Sequence, residues 1–196
     1  MNNEKIDIKY RYYKRITGHC SGGSHFCTPS TLKQLFSIID VKNKNVIDFG
    51  SGTGMLCFIC KVLGSEKVVG VEINEQNWLA INPEIKTIID FEVGDFLSKN
   101  YLESNFDVAF SIVGTKESWL YCLTLFKINK CIKTLVMLKP TYADDFKAIN
   151  LYALSLHYIW SITDIKICFS GSRQVRTLII LKKNEQTKHA DLIQID

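Results

Sequence analysis

Between residues 45 and 181 the chain alternates short apolar runs with segments whose apolar positions recur at helical spacing. Runs of four to seven apolar residues bounded by turn formers predict buried strands, and apolar positions at i, i+3 and i+4 predict helices. On that basis strands are expected over 45–49, 67–73, 88–93, 107–112 and 134–138, with helices over 55–63, 75–80, 119–127 and 143–156. Two strands in succession, 162–169 and 176–181, close the chain as a hairpin. Strands alternating with helices build βαβ units on a parallel sheet, so the expected fold is α/β. It is a seven-stranded sheet, mostly parallel, with a C-terminal antiparallel hairpin. Upstream, Leu32, Leu35, Phe36 and Ile39 mark an amphipathic helix opened by Pro29, with Thr28 or Ser30 as its cap. Residues 1–27 are polar and glycine-rich over 18–25, which reads as a flexible N-terminal arm or lid preceding a domain spanning 28–196.

Composition changes this picture little. With 196 residues, 46% hydrophobic and 22% charged, the chain has the make-up of one globular domain rather than a disordered segment. No run approaches the roughly 18 apolar residues of a membrane span. The start, Met-Asn-Asn-Glu-Lys-Ile-Asp, has no apolar stretch behind it and does not read as a secretory signal. The seven cysteines are therefore expected to be reduced thiols in a cytoplasmic or nuclear protein.

Charge is more informative. The net +4 hides eight Lys/Arg against three Asp/Glu in residues 1–45, five against eleven in 46–120, and eleven against six in 121–196. An acidic middle between basic ends suits a cationic ligand flanked by surfaces that tolerate polyanions.

The acids of that middle segment stand at successive strand ends. Asp48-Phe49-Gly50-Ser51-Gly52-Thr53-Gly54 runs from a strand through Gly-x-Gly-x-Gly into a helix. The glycines allow a tight turn and let a ligand lie against the backbone. A dinucleotide fingerprint would have its third glycine one position later, and a carboxylate at Asp48 suits the amino group of a methionine moiety better than a pyrophosphate. Glu72 follows Gly52 by twenty residues, at the end of the second strand, where an acid binds ribose hydroxyls in doubly wound folds. Asp95 follows the third strand and suits an adenine amino group, with Phe96 beside it to pack on the ring.

This set resembles the class I S-adenosylmethionine-dependent methyltransferases, whose fold is Rossmann-like and doubly wound. The resemblance implies S-adenosyl-L-methionine as cofactor, held by Asp48, Gly50, Ser51, Gly52, Gly54, Glu72, Asp95, Phe96 and Ser111. Gly94-Asp95-Phe96-Leu97-Ser98, together with Lys139-Pro140, is similar to motifs of the disruptor-of-telomeric-silencing type of histone lysine methyltransferase. Phe26-Cys27-Thr28-Pro29 and Gly70-Val71-Glu72-Ile73-Asn74 look like the ATP synthase c-subunit lysine methyltransferase type. A protein lysine is thus the expected acceptor.

After the fourth strand the chain reads Ser111-Ile112-Val113-Gly114-Thr115-Lys116-Glu117. The Asn/Asp-Pro-Pro-Tyr/Phe of enzymes that methylate adenine, cytosine or glutamine is missing, as is a cysteine nucleophile for a pyrimidine ring carbon. RNA is the alternative acceptor, because Tyr10-Arg11-Tyr12-Tyr13-Lys14-Arg15 interleaves rings that stack bases with cations that hold phosphates. The Lys-Asp-Lys-Glu tetrad of ribose methylation is broken, since Lys139 could serve as one lysine but Ser111, Arg173 and Arg176 stand where acids belong. A non-catalytic cofactor-binding subunit is a further alternative. Substrate contacts are expected from Tyr12, Tyr13, Ile112, Val113 and Gly114. Glu117 is a candidate for polarising an amine, against an ordinary role as a helix first-turn acid. No metal site is expected, because His19, Cys20, His25 and Cys27 fit no zinc-ligand spacing. Cys57 and Cys60 lie within a helix, where core packing explains them better than redox chemistry.

Overall fold

In a computed structural model of the chain, residues 2–17, 28–112, 115–138, 160–168 and 175–183 are described. Asn45–Phe49 forms strand β1 with four consecutive buried residues, as a strand covered on both faces does. Strands β2 (Lys67–Glu72), β3 (Asp90–Val93), β4 (Val108–Ser111), β5 (Thr134–Leu138), β6 (Trp160–Cys168) and β7 (Val175–Lys183) complete a seven-stranded sheet in the order β3-β2-β1-β4-β5-β7-β6. The first five run parallel, with Asp48 opposite Gly70 on one side and Phe110 on the other. Strand β7 is antiparallel to both β5 and β6. The expected mostly parallel sheet with its terminal hairpin is thus observed.

Two apolar layers cover this sheet. One contains Leu32, Leu35, Val46, Leu56, Phe58, Ile59, Phe110 and Val136, contributed in part by helices α2 (Pro29–Ile38) and α3 (Met55–Val62). The other contains Ile47, Phe49, Phe96, Trp119, Leu123, Phe126 and Met137, under helix α6 (Lys116–Ile128). Thr28 caps α2 by accepting from the Thr31 amide, with Pro29 in the first turn; that arrangement satisfies an otherwise orphaned donor. Cys57 and Cys60 are fully buried in α3, in keeping with the packing role expected of them, and Trp119 and Met137 are buried in the other layer.

Three differences from the expected elements have local causes. Residues 88 and 89 belong to the turn before β3, because Pro83–Lys86 forms a one-turn helix (α5) after α4 (Glu75–Leu79), and Asn82 caps it. Asp95 caps a 3₁₀ turn over Phe96–Ser98. Helix α6 begins three residues earlier than its apolar periodicity suggests, because the Thr115 side chain caps it at the Ser118 amide. The expected helix 143–156 lies outside the described residues.

The largest difference is at the N-terminus. Residues 1–27 were expected to be a separate flexible arm, but Asn2–Thr17 is helix α1, and Ile6 and Tyr13 on it are fully buried in the same layer as Leu32 and Phe58. Tyr13 packs on Phe58 with ring centroids 5.4 Å apart, and Lys33 of α2 bonds Asp7 at 2.5 Å. Two apolar side chains seven residues apart lie on one side of a helix. That stripe is narrow enough to be masked by the charges around it. Residues 18–27 lie outside the described set.

Candidate active site

Strand order reverses direction between β1 and β4, and in doubly wound sheets ligands bind beyond the carboxyl ends of the strands at that point. The turn 50–54 leaves β1 there, with Gly50, Gly52 and Gly54 all at positive φ (77°, 56° and 82°). A Cβ added at Gly52 would meet nothing within 4 Å, so this part of the turn borders open space. Gly54 answers to a different demand. A Cβ there would lie 2.4 Å from the Phe91 ring, and one at Gly70 would lie 2.8 Å from it. The third glycine and Gly70 therefore make room for an aromatic side chain reaching in from β3.

Glu72 is the hub of the site. One carboxylate oxygen accepts from the Gly52 amide at 2.7 Å and the other from the Asn74 amide at 2.9 Å. Its carbonyl accepts from the Gly94 amide, and the preceding carbonyl, of Val71, accepts from the Gly50 and Ser51 amides. One residue thus ties the glycine turn, the end of β2 and the end of β3 together. A carboxylate offers about four acceptor positions. With one backbone bond on each oxygen, Glu72 keeps capacity for two hydroxyl donors, as a ribose edge would supply.

Asp48 sits behind the turn rather than on its open side. It is 4% exposed, and Oδ2 accepts from the Cys57 thiol at 3.6 Å. Burial pushes its carboxyl up to about 7, against the Cys57 bond and with the Glu72 charge adding to the rise. Asp48 is therefore a support beneath the turn, not the open carboxylate expected for a ligand's amino group. Ser51 also turns inward. Its hydroxyl is buried, has no partner among the described residues, and lies 2.8 Å from where a Gly70 Cβ would stand.

Asp95 is half-buried at the end of β3 and accepts from the Leu97 amide at 2.9 Å, which leaves its second oxygen for a ligand donor. Phe96 is not available to cover a flat ring. It is buried against Phe49 and Tyr121, with centroids 5.0 and 5.7 Å away. Ser111 is likewise fully buried. Of the nine residues expected to hold a cofactor, Gly50, Gly52 and Asp95 are partly exposed at the carboxyl ends of β1 and β3. Glu72 is buried with its carboxylate on the Gly52 amide, and Gly54 is buried beside Phe91. Asp48, Ser51, Phe96 and Ser111 are buried behind them.

The acceptor side is described in part. Ile112 is half-buried at the end of β4, whereas Val113 and Gly114 lie outside the described residues. Lys139, Pro140, Arg173, His19, Cys20, His25 and Cys27 lie outside them as well. Glu117 is exposed in the first turn of α6, where an acid favours the helix dipole. Tyr13, expected to touch substrate, is instead fully buried and donates its hydroxyl to the Thr53 carbonyl in the glycine turn. Tyr12 is half-buried, stacks on Phe58 at 6.2 Å and bonds Glu84 at 2.7 Å. Sequence reasoning missed Phe91 and the structural role of Tyr13. The Gly70 that Phe91 requires was a visible signal, but no local pattern announces its partner.

Comparison with known proteins agrees with this geometry. The family described as "Ribosomal protein L11 methyltransferase (PrmA)" matches residues 20–108, the segment that carries the turn, Glu72 and Asp95. A candidate protein N5-glutamine methyltransferase of Methanocaldococcus jannaschii is 48% identical over 40 residues, 20% of each chain. A ribosomal protein L11 methyltransferase of Vibrio vulnificus is 45% identical over 58 residues, 30% of this chain and 19% of the relative. The matched stretch spans about a fifth of these relatives' length. Among solved structures, a candidate RNA methyltransferase of Pyrococcus horikoshii superposes with a TM-score of 0.64 at 18% identity, covering 96% of this chain and 99% of that one. Magnesium protoporphyrin IX methyltransferase of Synechocystis with bound S-adenosylmethionine superposes with a TM-score of 0.61 at 14% identity, covering 92% and 97%. The fold is the Rossmann-like one that these methyltransferases share.

Proposed function

We propose that this chain is an S-adenosylmethionine-dependent methyltransferase whose acceptor is a side-chain amine of a protein, a lysine. The observation that carries the reading is the glycine turn bound to Glu72 at the carboxyl ends of β1 and β2, with open space at Gly52 and Asp95 one strand further on. The family match over residues 20–108 supports it. The residues fit the cofactor. Glu72 has acceptor capacity for the ribose hydroxyls, Asp95 has it for the adenine amino group, and the bare backbone at Gly52 allows close approach.

When bound, S-adenosylmethionine supplies an electrophilic methyl group. The chain's own part is alignment, an effect that can be worth roughly 7–11 kcal/mol of the barrier. Glu72 and Asp95 hold two ends of the nucleoside while the turn, braced by Tyr13 and Phe91, keeps its shape. A lysine acceptor, with an ordinary pKa near 10.4, has to lose its proton first, and partial desolvation on entering the site favours that loss. No general base is required.

A protein acceptor is supported by the relatives' names, which specify ribosomal protein L11 and protein glutamine, and by the short Gly94–Ser98 resemblance. Incubating the chain with tritiated S-adenosylmethionine and cell extract tests the reading. The expected label is protease-sensitive and migrates as methyl-lysine after hydrolysis. Label released by ribonuclease would move the acceptor to RNA. Binding of NADH but not S-adenosylmethionine would overturn the reading altogether.

A further inference from the structure

We propose that the outward face of α1 is a docking surface for single-stranded nucleic acid, set beside the cofactor turn. The helix divides by charge. Its first half is balanced, Glu4 and Asp7 against Lys5 and Lys9, and Asp7 is paired with Lys33. Its second half carries Arg11, Lys14 and Arg15 and no acid, and among the described residues neither these three nor Lys9 forms an ion pair. The cations lie against rings, with Lys9 and Arg15 over Tyr12 at 5.7 and 5.6 Å and Lys14 over Tyr10 at 5.8 Å. Arg11 and Arg15 are exposed, while Tyr10 and Tyr12 are half-exposed.

This cationic half is also the half anchored at the site, because Tyr13 donates to the Thr53 carbonyl. A strand lying along α1 would therefore lead toward the opening at Gly52. Phosphates pair with unneutralised cations, and bases stack on half-exposed rings whatever their sequence. A membrane surface fits less well. It needs a free apolar face, and the apolar residues Ile6 and Tyr13 of α1 are already buried, leaving Ile8 as the exposed large aliphatic among the described residues of the helix. An acidic peptide would pair with the cations alone and would use none of the exposed ring surface of Tyr10 and Tyr12.

The inference does not depend on the acceptor. A protein carried on RNA and RNA itself would both use such a face, and binding is measured without cofactor. The experiment is fluorescence anisotropy of the full chain with a labelled RNA of about a dozen nucleotides, within the span such surfaces cover, titrated at several salt concentrations. The slope of log K against log salt should be negative. It should flatten by about two in the triple variant Arg11→Gln, Lys14→Gln, Arg15→Gln, at about 0.7 for each lost phosphate contact. Tyr12→Leu should weaken binding roughly five- to a hundredfold at unchanged slope, and Tyr12→Phe should restore it. Thermal unfolding of each variant checks that α1 remains docked. A DNA of the same sequence identifies which sugar the face serves, and either preference supports the proposal. No binding by the wild type, an unchanged slope in the triple variant, or equal binding of polyglutamate or anionic vesicles would overturn it.

Discussion

At the scale of single residues, the site rests on two carboxylates in different surroundings. Glu72 is bonded by two amides and has acceptor capacity left. Glu72→Ala should weaken S-adenosylmethionine binding by about 1.5–3 kcal/mol, the scale of charge-assisted bonds. Calorimetry on the folded variant checks this, and unchanged affinity would remove Glu72 from the ribose role. Asp48 is buried and held near neutrality, its carboxyl at about 7. A folded-state pKa above the unfolded one stabilises the protein below the unfolded value, and that contribution disappears as pH rises through the folded value. Asp48 should therefore cost stability as pH climbs from about 4 to about 7, by at most about 4 kcal/mol for the three-unit rise. Asp48→Asn should gain on the wild type between pH 5 and pH 8, as read by urea unfolding at both. A constant difference would show that Asp48 is ionised throughout. Gly54→Ala combines a left-handed φ with a 2.4 Å approach to Phe91 and should destabilise by about 2–5 kcal/mol. Adding Phe91→Leu should recover the part due to the clash and leave the part due to φ.

At the scale of elements, α1 is the piece whose role the structure most changes. Burial of an Ile or Tyr side chain contributes about 1.5–3 kcal/mol, and α1 buries one of each against α2 and α3. Deleting residues 1–17 should thus lower unfolding free energy by about 3–6 kcal/mol rather than leave an unaffected core. A deletion variant with wild-type urea stability would show the docking to be incidental. Tyr13→Phe is the milder probe. It leaves the Thr53 carbonyl without its donor, for a loss of about 1 kcal/mol, and because Thr53 is part of the turn it should also weaken cofactor binding severalfold. Helices α3 and α6 show how capping shapes the site's surroundings. Helix α6 starts where the Thr115 side chain caps it, while α3 starts at Gly54 with no side-chain cap, leaving its first turn facing the glycine turn.

For the whole molecule, the carboxyl ends of β1, β2 and β3 converge on one opening, and the acidic middle of the sequence supplies their acids. Ligand that binds only the folded state stabilises it by about 2.7 kcal/mol at a hundred times its dissociation constant. S-adenosylmethionine at that excess should raise the unfolding temperature, and amide-exchange protection should concentrate in 48–54, 72–74 and 94–98. Protection spread evenly over the sheet, or centred on β6 and β7, would place the ligand elsewhere. Five of the eight cations in residues 1–45 lie on α1, whose Tyr13 bonds the glycine turn.

The sequence by itself determined the local features. Short runs rich in apolar residues between polar neighbours mark β1 and β5 residue for residue, since burial on both faces favours such runs in a parallel sheet. Thr28-Pro29-Ser30 before an apolar stripe marks the start of α2 to within a turn, with Thr28 the cap that the structure selects, and the Gly-x-Gly-x-Gly spacing marks the turn after β1 because few other residues tolerate its backbone angles. Tertiary structure alone decided which side chains face the opening and which brace it. Asp48, Ser51, Phe96 and Ser111 turn inward because Cys57, Gly70 and Phe49 lie where the fold brings them. Phe91 reaches Gly54 from 37 positions away, and Tyr13 reaches Thr53 from 40. Contacts of that range depend on packing between segments with no shared periodicity, so no window along the chain contains both partners.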